Sequence, residues 1–544
     1  MKLSANPPSF IVRYRQTVRT GLLFGFFLLL SVTAFGDTKK ALRQAQKALR
    51  SGDFQRAEQL YREILQKDDY DLEAHLGLSR TLLKQRRLQE SFDHAARVVA
   101  VDPLSAPAHA LLGSAILAAG DFRLSLEEFR TALTLDDDQP MAIAGLAMID
   151  FYENRNMAAV EKLRRAVSMD PGEPDYIFSL GQAAARSERY KEAADAYERF
   201  LLIAPRTDAD RRARIRGLID FLRYLGQQAS LYTVSGQERT VLSFESIDNR
   251  PIVKIRINGS KTPLRFVLDT GSGMSVVSDE TARKLGLKPV ARGGMARAIG
   301  GGGRFEIIYG YVNSIDLGEI HIENVPVYIR RFYDMTTPVD GYLGIAALSR
   351  LVTAVDYGSR RMTLVRQRNS ADLGSLIDQI ATTGTSKIVA RPGIEIPVRT
   401  TSSGFLSGEV TIDGIKKSLN FIIDTGATVS VISERAAELD AAAEFIQPDR
   451  MRVFGAAGIA EDVKMALLPR VVIGSYAREK INAAVLDLEP INETAGFQQN
   501  GILGGNFLRH FRIVFDFQRA IVRLEPLDGI KSASPTIPQE TAGL

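Results

Sequence analysis

The sequence predicts a multidomain chain in which an α-solenoid of helix pairs is followed by two all-β lobes. Three observations carry that expectation. Over residues 37–230, apolar residues recur at helical spacing and the pattern repeats every 34 residues. Past Gly226 the texture changes to short runs of Val, Ile, Phe and Thr broken by Gly, Asn and Asp, which signals strands and turns. Within that second half one sentence is written twice: "FVLDTGSGMSVVS" from Phe266 and "FIIDTGATVSVIS" from Phe421. The duplication extends upstream, since Ile257, Gly259, Lys261 and Leu264 recur as Ile412, Gly414, Lys416 and Leu419.

Residues 1–36 come first. They hold Lys2, Arg13, Arg15 and Arg19 but no acid, and they end in the apolar run "GLLFGFFLLLSVTAFG" at Gly21–Gly36. Basic residues, a short apolar core and small residues at its end are the pattern of a secretory signal. The same run, left uncleaved, would be a membrane tether through residues 21–36. Export to a periplasm or cell envelope is the expected destination. With no Cys in the sequence, neither a disulfide framework nor a lipid-bearing Cys is available. The formal charge of +5 falls to +1 once the four N-terminal cations are set aside, so bulk charge predicts no nucleic-acid partner.

In the first half, "GDFQRAEQLYREIL", "GDFRLSLEEFRTAL" and "ERYKEAADAYERFL" each carry a turn, then a small residue, then an aromatic four later. These segments resemble the tetratricopeptide repeat, with units starting near Thr38, Leu72, Ala106, Pro140 and Pro174. Ala57, Ser91, Ser125, Ala159 and Ala193 would let helices approach, and Tyr61, Phe129 and Tyr197 would fill the space between them. "RRARIRGLIDFLRYL", Arg211–Leu225, reads as a closing helix. The resemblance implies a solenoid that takes a protein partner; a plain spacer is the competing reading. His75 and His109 stand one repeat apart, so packing at the helix edge explains them better than a metal site with His94. No zinc signature is present, and neither a metal nor a cofactor is expected.

The second half divides into a lobe at 237–367, a polar linker at 368–390, a second lobe at 391–528 and a tail at 529–544. Each lobe carries the same landmarks. Asn258-Gly259 and Asp413-Gly414 predict two-residue hairpin turns before Asp-Thr-Gly. "AIGGGGRFEIIYG" and "VFGAAGIAEDV" follow, then "VDGYLGIAAL" and "QNGILGGNFL", and a closing hairpin, "AVDYGSRRMTLV" or "IVFDFQRAIVRL". Two Asp-Thr-Gly triplets at matched offsets resemble the aspartic peptidases, most closely their retroviral-type and bacterial members.

Peptide hydrolysis without a metal or a covalent nucleophile needs one group to take a proton from water and another to give one to the carbonyl. Two adjacent carboxyls can do both, because like charges that close cannot both ionise. The resemblance therefore implies an aspartic endopeptidase with Asp269 and Asp424 as its catalytic pair and a peptide or protein as substrate. It implies that Thr270 and Thr425 cross-brace the two loops, and that Gly271 and Gly426 admit the carboxylates. Ser272 and Ala427 complete the loops, with the Ser272 hydroxyl expected on Asp269. Gly344 and Gly504 would pack beneath them; Asp340 is not counted as catalytic. Gly300–Gly303 is expected at a flap tip, with Tyr309 and Tyr311 as nearby flap candidates and no comparable flap in the second copy. The alternative is a non-catalytic peptide-binding scaffold with protease-like lobes. Spacing leaves open whether the lobes pair within one polypeptide or between two.

Overall fold

A computed structural model describes residues 38–299, 303–333, 337–366 and 393–527. The segment expected to be a signal or tether, the linker at 368–390 and the tail at 529–544 lie outside the described residues, as do Gly300, Gly301 and Gly302. The chain divides into two compact units, one holding residues up to Ile116 with Glu127–Gln139 and Pro205–Thr207, the other holding the rest.

The helices ahead of the β lobes are α1 (38–51), α2 (Phe54–Lys67), α3 (Leu72–Lys84), α4 (Leu88–Val101), α5 (Ala106–Ala119), α6 (Phe122–Leu135), α7 (Pro140–Tyr152), α8 (Asn156–Met169), α9 (Pro174–Arg186), α10 (Tyr190–Ile203) and α11 (Ala209–Leu225). Asp53, Asp71 and Asp208 each accept from a backbone N–H of the first turn of the helix that follows, which satisfies donors left open at a helix start. One backbone conformation marks the turn inside every pair: Gly52, Arg86, Gly120, Asn154 and Glu188, one repeat apart, all have positive φ. Only two are glycine, so three repeats hold this conformation at some cost in strain. Ala57, Ser91, Ser125, Ala159 and Ala193 are fully buried where the paired helices touch.

In the first unit, Leu42, Ala45, Leu60, Tyr61, Ile64, Leu78 and Leu82 form the core. His75 and His109 are buried, and each bonds a carbonyl of the preceding turn, Asp69 O at 2.9 Å and Pro103 O at 3.1 Å. Among the described residues no group of three or more metal-ligating side chains occurs, and no helix is long and apolar enough to cross a membrane.

The second unit contains both β lobes. The first comprises β1 (Thr233–Gly236), β2 (Arg239–Ile247), β3 (Arg250–Ile257), β4 (Leu264–Leu268), β5 (Ser275–Ser278), β6 (Ala291–Arg297), β7 (Arg304–Leu317), β8 (Ile320–Arg330), β9 (Gly341–Leu343), β10 (Leu351–Asp356) and β11 (Arg361–Arg366). The second comprises β12 (Ile394–Pro397), β13 (Arg399–Thr400), β14 (Leu406–Ile412), β15 (Leu419–Ile423), β16 (Ser430–Ser433), β17 (Ile446–Gly455), β18 (Gly458–Ile473), β19 (Tyr476–Leu486), β20 (Gly501–Leu503), β21 (Phe511–Asp516) and β22 (Ile521–Pro526).

The duplication survives as topology. Strand order β3-β4-β9-β5-β8-β7-β6 in one lobe is matched by β14-β15-β20-β16-β19-β18-β17 in the other. The closing hairpins join the lobes: β10 pairs antiparallel with β21, giving a sheet β2-β11-β10-β21-β22-β12 that reads the same from either end. The lobes thus pair within one polypeptide, and Phe266, Leu268, Phe421, Ile423, Phe511 and Phe515 sit in one continuous apolar core. Symmetry breaks at one edge. β2 runs unbroken between two neighbours, while its counterpart is split at Val398 into β12 and β13.

The predicted hairpin turns are present but longer than two residues. Asn258 and Gly259 both have positive φ, and Ser260 N–H donates to Ile257 O at 2.9 Å. Pairing resumes only at Leu264, opposite Ile255, and in the second copy at the equivalent Leu419, opposite Val410.

Two patches within this unit join helices to lobes. Phe497 of the second lobe packs edge-on against Phe122 and Tyr152, with ring centroids 4.9 and 5.0 Å away. Beside them the Arg186 guanidinium lies 3.8 Å from the Phe151 ring centre and donates to Thr401 O at 2.5 Å. Burial pulls Arg186 down to about 10. On the other side Phe221 of α11 stacks on Tyr309 of β7 at 4.3 Å. A bulge in β6 at Gly293-Gly294 lets the strand backbone lie against Gly217, where a Cβ would collide with Arg292 O.

Candidate active site

Asp269 and Asp424 stand at the ends of β4 and β15, each on the first residue after its strand. Their positions are fixed by the strands that return beside them. Asp269 N–H donates to Leu343 O and Asp424 N–H to Leu503 O, both at 3.0 Å, so each loop hangs from β9 or β20. Those strands run parallel to β4 and β15, with Leu268 opposite Leu343 and Ile423 opposite Leu503.

The two loops interlock at the threonines. Thr270 Oγ1 donates to Ile423 O at 2.7 Å, and Thr425 Oγ1 donates to Leu268 O at 2.6 Å. Each hydroxyl also accepts from the other residue's N–H, at 3.1 and 3.2 Å. Both threonines are buried, so these four bonds form away from competing water.

The carboxyl groups of Asp269 and Asp424 lie next to each other, close enough for each to act on the other's ionisation. The glycines make room: a Cβ on Gly426 would lie 2.7 Å from Asp269 Oδ1, and one on Gly271 would overlap the Asp424 carboxyl. Burial raises the pKa of both groups, and in Asp269 the neighbouring Asp424 charge adds to it. The pair is inequivalent. Asp424 Oδ1 accepts from Gly426 N–H at 2.7 Å and Ala427 N–H at 3.2 Å, whereas Asp269 Oδ1 accepts from Gly271 N–H alone at 3.0 Å. Backbone donors favour the ionised form, so Asp424 is the better stabilised as a carboxylate, while the pKa of Asp269 stands well above the usual carboxylate range.

Ser272 is not the source of that inequivalence. Its hydroxyl turns away from Asp269 and donates to Met274 O at 2.9 Å. Gly344 and Gly504 lie under the loops, where a Cβ would meet Met274 O at 2.7 Å or overlap Val429 O. Their N–H groups donate to Ser275 Oγ at 3.1 Å and Ser430 Oγ at 3.2 Å. Motif reading misses these two serines, although they occupy matched positions in both copies. Asp340 is a structural acceptor, taking bonds from Arg265 N–H and Thr281 Oγ1 at 2.8 Å each; Asn500 takes the equivalent bond from Asn420 N–H.

Both lobes carry a flap. The β6–β7 hairpin is matched by β17–β18, turning at Ala456-Ala457, which corrects the expectation of a single flap. Ala457 N–H donates to Ile299 O at 3.5 Å, so the turn of the second hairpin meets the end of β6–β7 at Ile299. Tyr309 and Tyr311 are not at a tip. Tyr309 is buried under Phe221, and the Tyr311 hydroxyl donates to Asn324 Oδ1 at 2.8 Å.

A two-lobed aspartyl-protease-like domain is the class this fold and site define. A family model described as aspartyl protease matches residues 253–347 and 408–507, and models described as tetratricopeptide repeat match 48–115 and 145–210. The protein therefore carries tetratricopeptide repeats followed by duplicated aspartyl protease lobes. Over 160 residues it is 26% identical to anaphase-promoting complex subunit 3 of Schizosaccharomyces pombe, covering 29% of this chain and 24% of that protein. Over 145 residues it is 23% identical to a BBSome complex member of Bos taurus, covering 27% and 28%. The chain thus spans about a quarter of the length of these curated relatives. Among solved structures, a thermophilic tetratricopeptide repeat protein of Thermus thermophilus is 20% identical with a TM-score of 0.30, covering 34% of this chain and 98% of that one.

Proposed function

We propose that the protein is an aspartic endopeptidase that hydrolyses peptide bonds with Asp269 and Asp424, and that its helical repeats recruit a protein substrate or partner. The observation that carries this reading is the buried, adjacent carboxyl pair held by the reciprocal Thr270–Thr425 bonds. Ionised Asp424 takes a proton from water as the oxygen attacks the peptide carbon, and Asp269 gives its proton to the carbonyl oxygen. Collapse of the tetrahedral diol breaks the C–N bond. Asp424 then delivers its proton to the leaving nitrogen while Asp269 recovers one from a diol hydroxyl. Protons balance over the cycle, and no cofactor enters it.

The basic and apolar pattern of residues 1–36 supports export to a periplasm or cell envelope, with 21–36 as a signal or a tether. Repeats of this kind support a protein partner.

The test is cleavage of a mixed peptide library between pH 3 and pH 8 by the full-length protein and by Asp269→Asn and Asp424→Asn. Each variant should lose about 10²–10⁴-fold in turnover while remaining folded by circular dichroism. Undiminished cleavage by either would remove the pair from the mechanism, and binding of peptides without cleavage by the wild type would favour a scaffold.

A further inference from the structure

The two lobes differ at two positions beside the acids that the pseudo-symmetry puts in register. Arg330 ends β8 opposite Ser278; its counterpart in the second lobe, opposite Ser433, is Leu486. In the same way Tyr342, opposite Val276, corresponds to Ile502, opposite Val431. On the second lobe Leu486 and Ile502 pack with Ala427, Val453 and Ala460 in an apolar cluster that begins beside Asp424. On the first lobe the equivalent space holds a cation among aromatic rings. The Arg330 guanidinium lies 5.6 Å from the Phe305 ring centre, on the flap strand, and 5.8 Å from Phe332, which packs edge-on against Tyr342 at 5.0 Å.

Arg330 is within electrostatic reach of Asp269, and its buried Nε finds no hydrogen-bond partner among the described residues. Nor does an ion pair to Arg330 occur among them. A guanidinium flanked by aromatic faces and left with an open donor is a ready fork for a carboxylate.

We infer that Arg330 makes the first-lobe side of the cleft selective for a substrate carboxylate, while the second-lobe side takes an aliphatic residue. This rests on the peptide-cleft reading given above. The carboxylate has two sources, the side group of an Asp or Glu or the C-terminus of a peptide, and Arg330 would engage either with the same two N–H groups.

The test uses the full-length protein and a library of octapeptides, made with free and with amidated C-termini, read both by affinity selection and by mass spectrometry of products. The wild type should retain Glu-containing peptides about tenfold more tightly than their Gln twins, the yield of one charge-assisted bond. Arg330→Leu, which imports the second lobe's residue, should erase that preference, and Arg330→Lys should keep part of it. Melting curves of both variants establish that they fold. A preference confined to free C-termini assigns the terminal carboxylate; one that survives amidation assigns the Asp or Glu side group. Equal binding of the Glu and Gln twins by the wild type, or an undiminished preference in Arg330→Leu, overturns the inference. Selective binding with no product in any sample leaves the inference standing and removes the peptidase reading instead.

Discussion

Thr270 and Thr425 hold each other's loops. Each hydroxyl donates to a carbonyl of the opposite lobe, Ile423 O at 2.7 Å and Leu268 O at 2.6 Å, and accepts the partner's own N–H. The lobes are thereby fixed at the one place where their acids meet. Replacing Thr425 by Ala deletes two hydrogen bonds and strands a buried N–H and a carbonyl, at a cost of about 2–4 kcal/mol. Thr425→Ser keeps the hydroxyl and should recover most of that loss. Urea melts of both variants check the magnitude, and an unchanged midpoint for Thr425→Ala would show that the brace contributes nothing.

The acid pair ties stability to pH. Both carboxyls have raised pKa values, first because they are buried. A raised pKa means the folded state holds the proton more tightly than the unfolded state does. The corresponding stabilisation is complete below about pH 4, where an unfolded Asp is protonated. It is lost as pH rises through the folded pKa. Asp269→Asn has no such titration at that position, so its melting temperature should gain on the wild type between pH 4 and pH 8. A constant gap across that range would contradict the raised pKa.

Gly271 has no room for a side chain. A Cβ there overlaps the Asp424 carboxyl, so Gly271→Ala must displace the acid from its partner. Misplacement of a reacting group by about 1 Å costs on the order of 10²-fold in rate. The expected result is a folded protein with at least that loss of turnover on any peptide the wild type cleaves. Wild-type rates in this variant would mean the carboxyl contact is not needed.

Phe221 anchors a flap from outside the lobe. It is fully buried and stacks on Tyr309 of β7. Phe221→Ala leaves a cavity costing about 3–5 kcal/mol, concentrated where α11 meets the β6–β7 hairpin. Amide hydrogen exchange should therefore accelerate over residues 291–317 and stay unchanged over 446–473 in the other flap. Equal acceleration in both hairpins would show that α11 does not hold one flap selectively.

What is legible in advance is whatever repeats. The helix starts at Leu72, Ala106, Pro140 and Pro174 follow from a 34-residue period, because a helix pair cannot bury its apolar stripe alone and must recur in register. The same logic exposes Asp269 and Asp424: two copies of one sentence identify each other, and Asp-Thr-Gly is their shared centre. Ser275 and Ser430 are equally legible by that rule, yet a polar residue inside an apolar strand draws no attention until its hydroxyl is seen beneath a loop. The second flap escapes notice because the Gly-rich tip of the first, Gly300–Gly303, has no match at Ala456-Ala457, although a two-residue turn needs no such run.

Sequence alone thus determined the two architectures, their order from N- to C-terminus and the presence of paired acids, since period and duplication are properties of a one-dimensional pattern. Only the tertiary structure decided that the two acids are inequivalent, because that depends on a further N–H, from Ala427, reaching Asp424. It also decided that the lobes close on each other through β10 and β21, and that Arg330 faces a place where its symmetry mate is Leu486. Contacts between residues over a hundred positions apart arise from burial and hydrogen-bond geometry in three dimensions, and the order of letters does not record them.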